Sequence, residues 1–214
     1  MTKKDARFWN RIAKMYFTKP IANQDTYRIK LKTTQEYLHP DMEVLELGCG
    51  SGGTALTHAA YVKHIDATDI ADRMIDIAKS QQAERGITNV KFSQASLNDL
   101  SKEGKHYDAI LALSLIHLLE DPEAAISQVY DLLEPGGIFV ASTPCLKGKL
   151  GLMRPVLKLG HILGILPRIN SFSEVELTNW MELKGFKIIH IWQPKESDSV
   201  FTIARAPQTK SLKS

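Results

Sequence analysis

The densest chemistry in the chain lies in ten residues, Val44-Leu45-Glu46-Leu47-Gly48-Cys49-Gly50-Ser51-Gly52-Gly53. An apolar run enters a glycine loop, and a helical pattern begins near Thr54. Glycines let a backbone turn sharply and approach a ligand closely, and free N–H groups at a helix start offer it a positive end. Through Gly48, Gly50 and Gly52 the loop reads G-x-G-x-G; through Gly48, Gly50 and Gly53 it reads as the G-x-G-x-x-G of dinucleotide sites. The glycines alone do not choose. Glu46 does, because a carboxylate two residues before the first glycine would meet a doubly charged pyrophosphate as a like charge. A ligand carrying a sulfonium and an α-ammonium would instead be attracted, which points to S-adenosylmethionine. Asp69, 21 residues after Gly48, ends the next strand, where a carboxylate can accept both ribose hydroxyls. That role serves either cofactor, and a helix N-cap is its bland counterpart.

Other reactive side chains carry less. His117 falls just past the carboxyl end of a strand, where ligand crevices form in open α/β sheets, and can remove a proton near neutral pH. A satisfied core or helix-surface histidine is the equal alternative. Asp108 stands at the leading end of its strand rather than past its carboxyl end and reads as structural. Cys49 and Cys145 are far apart with no C-x-x-C spacing, and no Cys/His cluster has zinc spacing. A reduced cytoplasm is the expected setting, and no metal is expected.

These residues need a scaffold. From about residue 42 short β-type runs alternate with helical patterns, the signature of βαβ units and a parallel sheet. Strands are expected at Glu43–Leu47, His64–Thr68, Val90–Ser93, Tyr107–Leu113 and Ile138–Thr143, with helices at Asp72–Arg85 and Pro122–Leu133. Pro135-Gly136-Gly137 reads as a helix stop and tight turn. Upstream, Lys4–Phe17 and Gln24–Leu38 read as helices, closed by His39-Pro40. Downstream, Ser173 and Glu176 suit a capping box for a helix ending at Lys184-Gly185. Phe186–Trp192 and Ser199–Ala204 then form strands whose short connection favours antiparallel pairing.

With 214 residues, 43% apolar and 24% charged, the chain can bury a full core without disulfides. Its 27 basic and 24 acidic residues read as a weak excess spread along the chain, which argues against a nucleic-acid partner. The N-terminus has no apolar signal-peptide core, and the longest near-apolar run, Ala109–Leu119, is too short to span a bilayer. Lys147–Pro167 interleaves Leu, Ile and Met with basic residues. If helical after Pro155, it sets Arg154, Lys158 and His161 in one stripe. Four readings stay open for it: an ordinary packing helix, a cover over an apolar acceptor, a peripheral membrane contact through 147–167, or a dimer contact.

In order, Glu46-Leu47-Gly48-Cys49-Gly50-Ser51-Gly52, Asp69, Tyr107-Asp108-Ala109-Ile110 and Leu132-Leu133-Glu134-Pro135-Gly136-Gly137 resemble the motifs of class I S-adenosylmethionine-dependent methyltransferases, especially the small-molecule type 11 group. The resemblance covers about residues 40 to 145, and the terminal hairpin suits it. It implies a doubly wound, Rossmann-like, mostly parallel seven-stranded sheet with an antiparallel last strand and helices on both faces. It further implies that Glu46, Gly48, Cys49, Gly50 and Gly52 surround the methionine part, Asp69 binds the ribose and Ile70 packs on the adenine. Family members often carry Gly-Asp after the third strand; here Gln94-Ala95-Ser96-Leu97 stands there, so Ser96 replaces the acid and the Leu97 backbone reads the ring. Leu113 lies at the cofactor's edge, and Tyr16 resembles an N-terminal tyrosine that closes over the cofactor, core packing being its alternative.

The expected protein is one methyltransferase domain. It comprises a helical cap (1–39), a cofactor core (40–145), an acceptor-side insertion (146–171), a terminal helix and hairpin (172–206) and a frayed tail (207–214). Its expected reaction is in-line methyl transfer to a small, partly apolar acceptor, with His117 the one candidate base. After the fourth strand stands Ala112-Leu113-Ser114-Leu115, not the Asn/Asp-Pro-Pro-aromatic signature of nucleic-acid or glutamine methylation. A non-catalytic binding module and an NAD-dependent oxidoreductase are the competing readings, and monomer and homodimer both stay open.

Overall fold

The computed structural model describes residues 1–151, 153–195 and 197–209, without the side chain of Arg154. One member of the expected basic stripe and most of the expected tail therefore lie outside the described residues. Two N-terminal helices, α1 (Lys3–Thr18) and α2 (Gln24–Gln35), precede an alternating core. That core runs β1 (Glu43–Leu47), α3 (Gly53–His58), β2 (His64–Asp69), α4 (Asp72–Arg85), β3 (Val90–Gln94), α5 (Leu97–Leu100), β4 (Tyr107–Leu113), α6 (Pro122–Leu132) and β5 (Leu133–Pro144). There follow α7 (Met153–Ile162), α8 (Glu174–Lys184), β6 (Lys187–Trp192) and β7 (Ser199–Arg205).

The seven strands form one sheet in the order β3-β2-β1-β4-β5-β7-β6. Neighbours from β3 to β5 pair in parallel, while β7 runs antiparallel to both β5 and β6. Central strands of such a sheet are buried on both faces, so they read as continuous apolar runs. Ala109 and Leu111 of β4 pack with Ala55 and Leu56 of α3 on one face. Ile110 and Ala112 pack with Ile126 and Val129 of α6 and Leu177 of α8 on the other. Ala13 and Trp9 of α1 rest on Met74 of α4, which brings the N-terminal helix over the carboxyl ends of the strands.

Local signals set several boundaries. Ser173 and Glu176 form the expected capping box, with Ser173 Oγ accepting from the Glu176 N–H at 3.2 Å. Gly185 closes the same helix in the left-handed region. Two expectations shift. Helix α2 ends at Gln35 rather than Leu38, the chain tightening into turn bonds such as Tyr37 N–H to Thr34 O before Pro40. Strand β5 begins at Leu133 rather than Ile138. The register passes from Leu133 opposite Tyr107 to Ile138 opposite Ala109, so Pro135-Gly136-Gly137 forms a bulge inside the strand instead of a turn before it. Gly136 takes φ +78° there and donates to Pro207 O.

Candidate active site

Strand order reverses between β1 and β4: from β1 it runs outward through β2 to β3, and from β4 it runs the other way to β5. Crevices open at such a switch point beyond the carboxyl ends of the strands. A cavity of about 300 Å³ lies there, walled by Leu47 and Gly48 from the β1 tip, Asp69 and Ile70 after β2, and Leu113 and Ser114 at the β4 tip. Ala95, Ser96 and Leu97 close one end, and Trp9 and Tyr16 of α1 also line it.

The glycine loop is shaped by three left-handed glycines: Gly48 (φ +63°), Gly50 (φ +53°) and Gly52 (φ +83°). They do different work. A Cβ on Gly50 would meet only Tyr16 Cε1 at 4.0 Å, so this backbone faces the cavity under the tyrosine ring. A Cβ on Gly52 would strike Phe92 Cζ at 2.7 Å and the Ala78 Cβ at 2.9 Å, so Gly52 lets the loop pack on β3 and α4. It does not line the cavity, and neither does Cys49, whose thiol is buried.

Asp69 is the carboxylate that does face the cavity. Its Oδ2 accepts the Gly50 N–H at 3.0 Å and its Oδ1 accepts the Ala71 N–H at 2.9 Å, so loop and carboxylate hold each other in place. Burial pushes its pKa up, and the backbone donors oppose that shift.

Glu46 departs from its expected position. It points with Val44 to the α3 face beneath the loop, is 3% exposed and lines no cavity. Burial raises its pKa to about 8, against one opposing backbone bond from Ala55, and its Oε2 has no partner among the described residues. At neutral pH the side chain is therefore mostly a neutral acid, not an anion at the loop entrance. The negative lining comes from elsewhere: Asp69, Glu120 and Asp121 border the cavity, and among the described residues no Lys, Arg or His side chain does.

His117 departs as well. It sits in a single helical turn, Ile116–Leu118, with Nδ1 3.2 Å from Thr143 Oγ1 and its carbonyl accepting from the Asn170 N–H. It does not line the cavity, and burial lowers its pKa to about 4, which leaves a weak base. Ser96 lines the cavity, but its hydroxyl donates to Asp99 Oδ2 at 2.6 Å and accepts the Asp99 N–H at 3.4 Å as the cap of α5.

Some lining residues carried no sequence signal. Ser114 has φ +58°, the one non-glycine in the left-handed region among the described residues, and its N–H donates to Ser142 O at 2.6 Å. Such strain concentrates at functional sites. Asn98 and Gln128 bridge α5 and α6 at 3.0 Å across the closed end. Periodicity shows neither feature.

Comparison with known proteins decides the family. A model described as "Methyltransferase domain" matches residues 22–191. The chain belongs to the methyltransferase domain family. Among its relatives, this methyltransferase is 27% identical over 192 residues to the ubiquinone biosynthesis O-methyltransferase of Coxiella burnetii, covering 86% of this chain and 78% of that one. The fold matches YcgJ of Bacillus subtilis with a TM-score of 0.68 at 16% identity, over 85% of this chain and all of the other. It also matches the magnesium protoporphyrin IX methyltransferase of Synechocystis, solved with bound SAH, with a TM-score of 0.68 at 20% identity over 94% and 97% of the two chains. The cofactor is S-adenosylmethionine, and the enzyme is a small-molecule methyltransferase. The site fits that group on its own terms: an open glycine backbone, a pinned carboxylate beside it and charged side chains that are all acidic suit a cation and disfavour a pyrophosphate, with the Met1 backbone amine the one cationic group on a lining residue among those described. No helix among the described residues is long and apolar enough to cross a membrane.

Proposed function

We propose that this methyltransferase alkylates an oxygen of a small, partly apolar acceptor by in-line displacement, in the cytoplasm. The observation that carries the donor and the apolar acceptor is the lining itself: among the described residues it has three carboxylates and no cationic side chain, facing a wall of Leu113, Leu115, Leu118 and Leu119. Bound S-adenosylmethionine supplies a methyl group already activated on a sulfonium. The chain's task is then alignment and exclusion of water. Gly48, Gly50, Asp69, Ile70, Ser96 and Leu97 hold the cofactor, and Tyr16 and Trp9 of the 1–39 cap cover it. Glu46, Cys49 and Gly52 act from beneath by shaping the loop. Leucines at the β4 tip keep water out. His117 is not assigned a proton transfer, since it faces Thr143 with a pKa of about 4.

Lys30 supports an oxygen acceptor. Its ammonium donates to Ser142 Oγ at 2.8 Å, and Ser142 pairs in the sheet with Leu113 of the cavity wall. Burial alone pulls its pKa below the usual lysine range. Lys30 does not line the cavity, but as a half-buried cation one strand behind its wall it offsets part of the acidic field and so favours a hydroxyl that ionises over an amine that protonates. The relative from Coxiella, named an O-methyltransferase, agrees with this choice. Two free thiols, Cys49 and Cys145, suit a reducing compartment.

The test is a panel of phenols and amines of matched size incubated with methyl-labelled donor. Label is expected on phenolic oxygen, with Lys30→Met slowing turnover most below the phenol's own pKa. Preferential labelling of amines, or an unchanged pH profile in Lys30→Met, would overturn the reading.

A further inference from the structure

Segments 1–20 and 146–172 together hold eleven of the 27 Lys and Arg residues but a single acid, Asp5, leaving 16 basic against 23 acidic residues elsewhere. The structure brings the two segments together. Lys4 Nζ donates to Ile162 O at 2.9 Å, and Arg11 Nη2 donates to Gly164 O at 3.1 Å and Ile165 O at 3.3 Å, so α1 lies along the end of α7. Asp5 is 2% exposed and spent on the cap of α1, accepting from the Thr2 N–H at 2.7 Å. Lys147, Lys149 and Arg168 are paired with Glu176, Asp198 and Glu120 from outside the two segments, so the positive charge left over gathers on residues such as Lys3, Arg7, Lys14 and Lys158.

Helix α7 is oriented the wrong way for a surface helix in water. It turns Leu157, Gly160 and His161 toward the protein, where a Cβ on Gly160 would strike Leu166. Outward it turns Met153, Val156, Leu159 and Ile162, each more than half exposed, and Leu163 and Ile165 just past its end continue the exposed apolar face. A helix that merely packs shows the reverse. Met15 of α1, 63% exposed, shares the stripe of Lys4 and Arg11 and extends the apolar patch. Among the described residues none of 146–171 lines the cavity, so the segment is not its lid.

We propose that α1 and α7 form one docking surface for the face of an anionic lipid bilayer. Outward leucines and isoleucines enter the acyl boundary while Lys3, Arg7, Lys14 and Lys158 meet the headgroups. Charge decides between this occupant and a second copy of the chain. Pairing two such faces would set basic rims against each other, whereas an anionic surface neutralises the rim and its acyl boundary takes up the apolar centre.

The protein is floated with vesicles of phosphatidylcholine alone and with vesicles in which a third of the lipid is phosphatidylglycerol. Binding is expected to the anionic vesicles only, with release as ionic strength rises. Leu159→Glu combined with Leu163→Glu is expected to cut binding about tenfold or more. Its melting temperature is expected to hold, because both side chains already face solvent. Lys14→Gln is expected to weaken binding about fivefold, the worth of one basic charge at such a surface. Equal binding to both vesicle types, no binding to either, or a wild-type dimer that Leu163→Glu dissociates would each overturn the proposal. None of these readouts needs cofactor or acceptor, so they are independent of the proposed reaction.

Discussion

Glu46 carries an acid's identity and, at neutral pH, mostly an uncharged side chain. Its carboxyl has an ordinary value of 4.5 in the open chain and about 8 in the fold. Between those limits the folded state holds a proton that the unfolded state has lost, so the contribution is complete below pH 4.5 and fades as pH rises through 8. Glu46→Gln keeps the shape of the protonated acid and removes the titration. Urea unfolding at pH 6 and pH 9 is expected to favour the variant increasingly at the higher pH. The wild type loses roughly 1 kcal/mol per pH unit up to about pH 8 and levels off above it, and the variant does not. Parallel curves would place the proton elsewhere. His117 has the opposite sign: its value near 4 costs stability only in acid, and the rate profile of His117→Ala is expected to keep its shape. The type and spacing of Glu46 and Asp69 were legible in the sequence, but their depths were not. Which of two carboxylates faces the ligand depends on α3 covering Glu46 and on the Gly50 N–H reaching Asp69.

At the scale of elements, loop and sheet meet through a glycine that lies outside the cavity. Gly52→Ala would force a left-handed alanine and drive its Cβ into Phe92 and Ala78. The sum of strain and overpacking is about 2–5 kcal/mol, read as a lower urea midpoint. Wild-type stability in the variant would refute the packing role. Elements with local signals were legible: β1 and β4 have the bounds expected from their apolar runs, and the α8 capping box lies where Ser173 and Glu176 stand. Early entry into β5 was not, because Leu133 joins the strand only by pairing with the distant Tyr107. The α7 pattern showed a helix with apolar and basic stripes, but not that its apolar side faces outward.

For the whole molecule, the fold places an acidic crevice at the switch point between β1 and β4 and a basic, apolar surface across α1 and α7. A net charge of +3 hides that division, since composition averages over faces that only the folded chain separates. In the proposed reading Asp69 holds the ribose and the acidic lining favours a sulfonium over a pyrophosphate, and calorimetric titration with S-adenosylmethionine and with NAD tests this most directly. The wild type is expected to bind the first and ignore the second, and Asp69→Ala to lose about 1–3 kcal/mol toward S-adenosylmethionine. Equal affinity in wild type and Asp69→Ala, or heat released by NAD, would contradict the account.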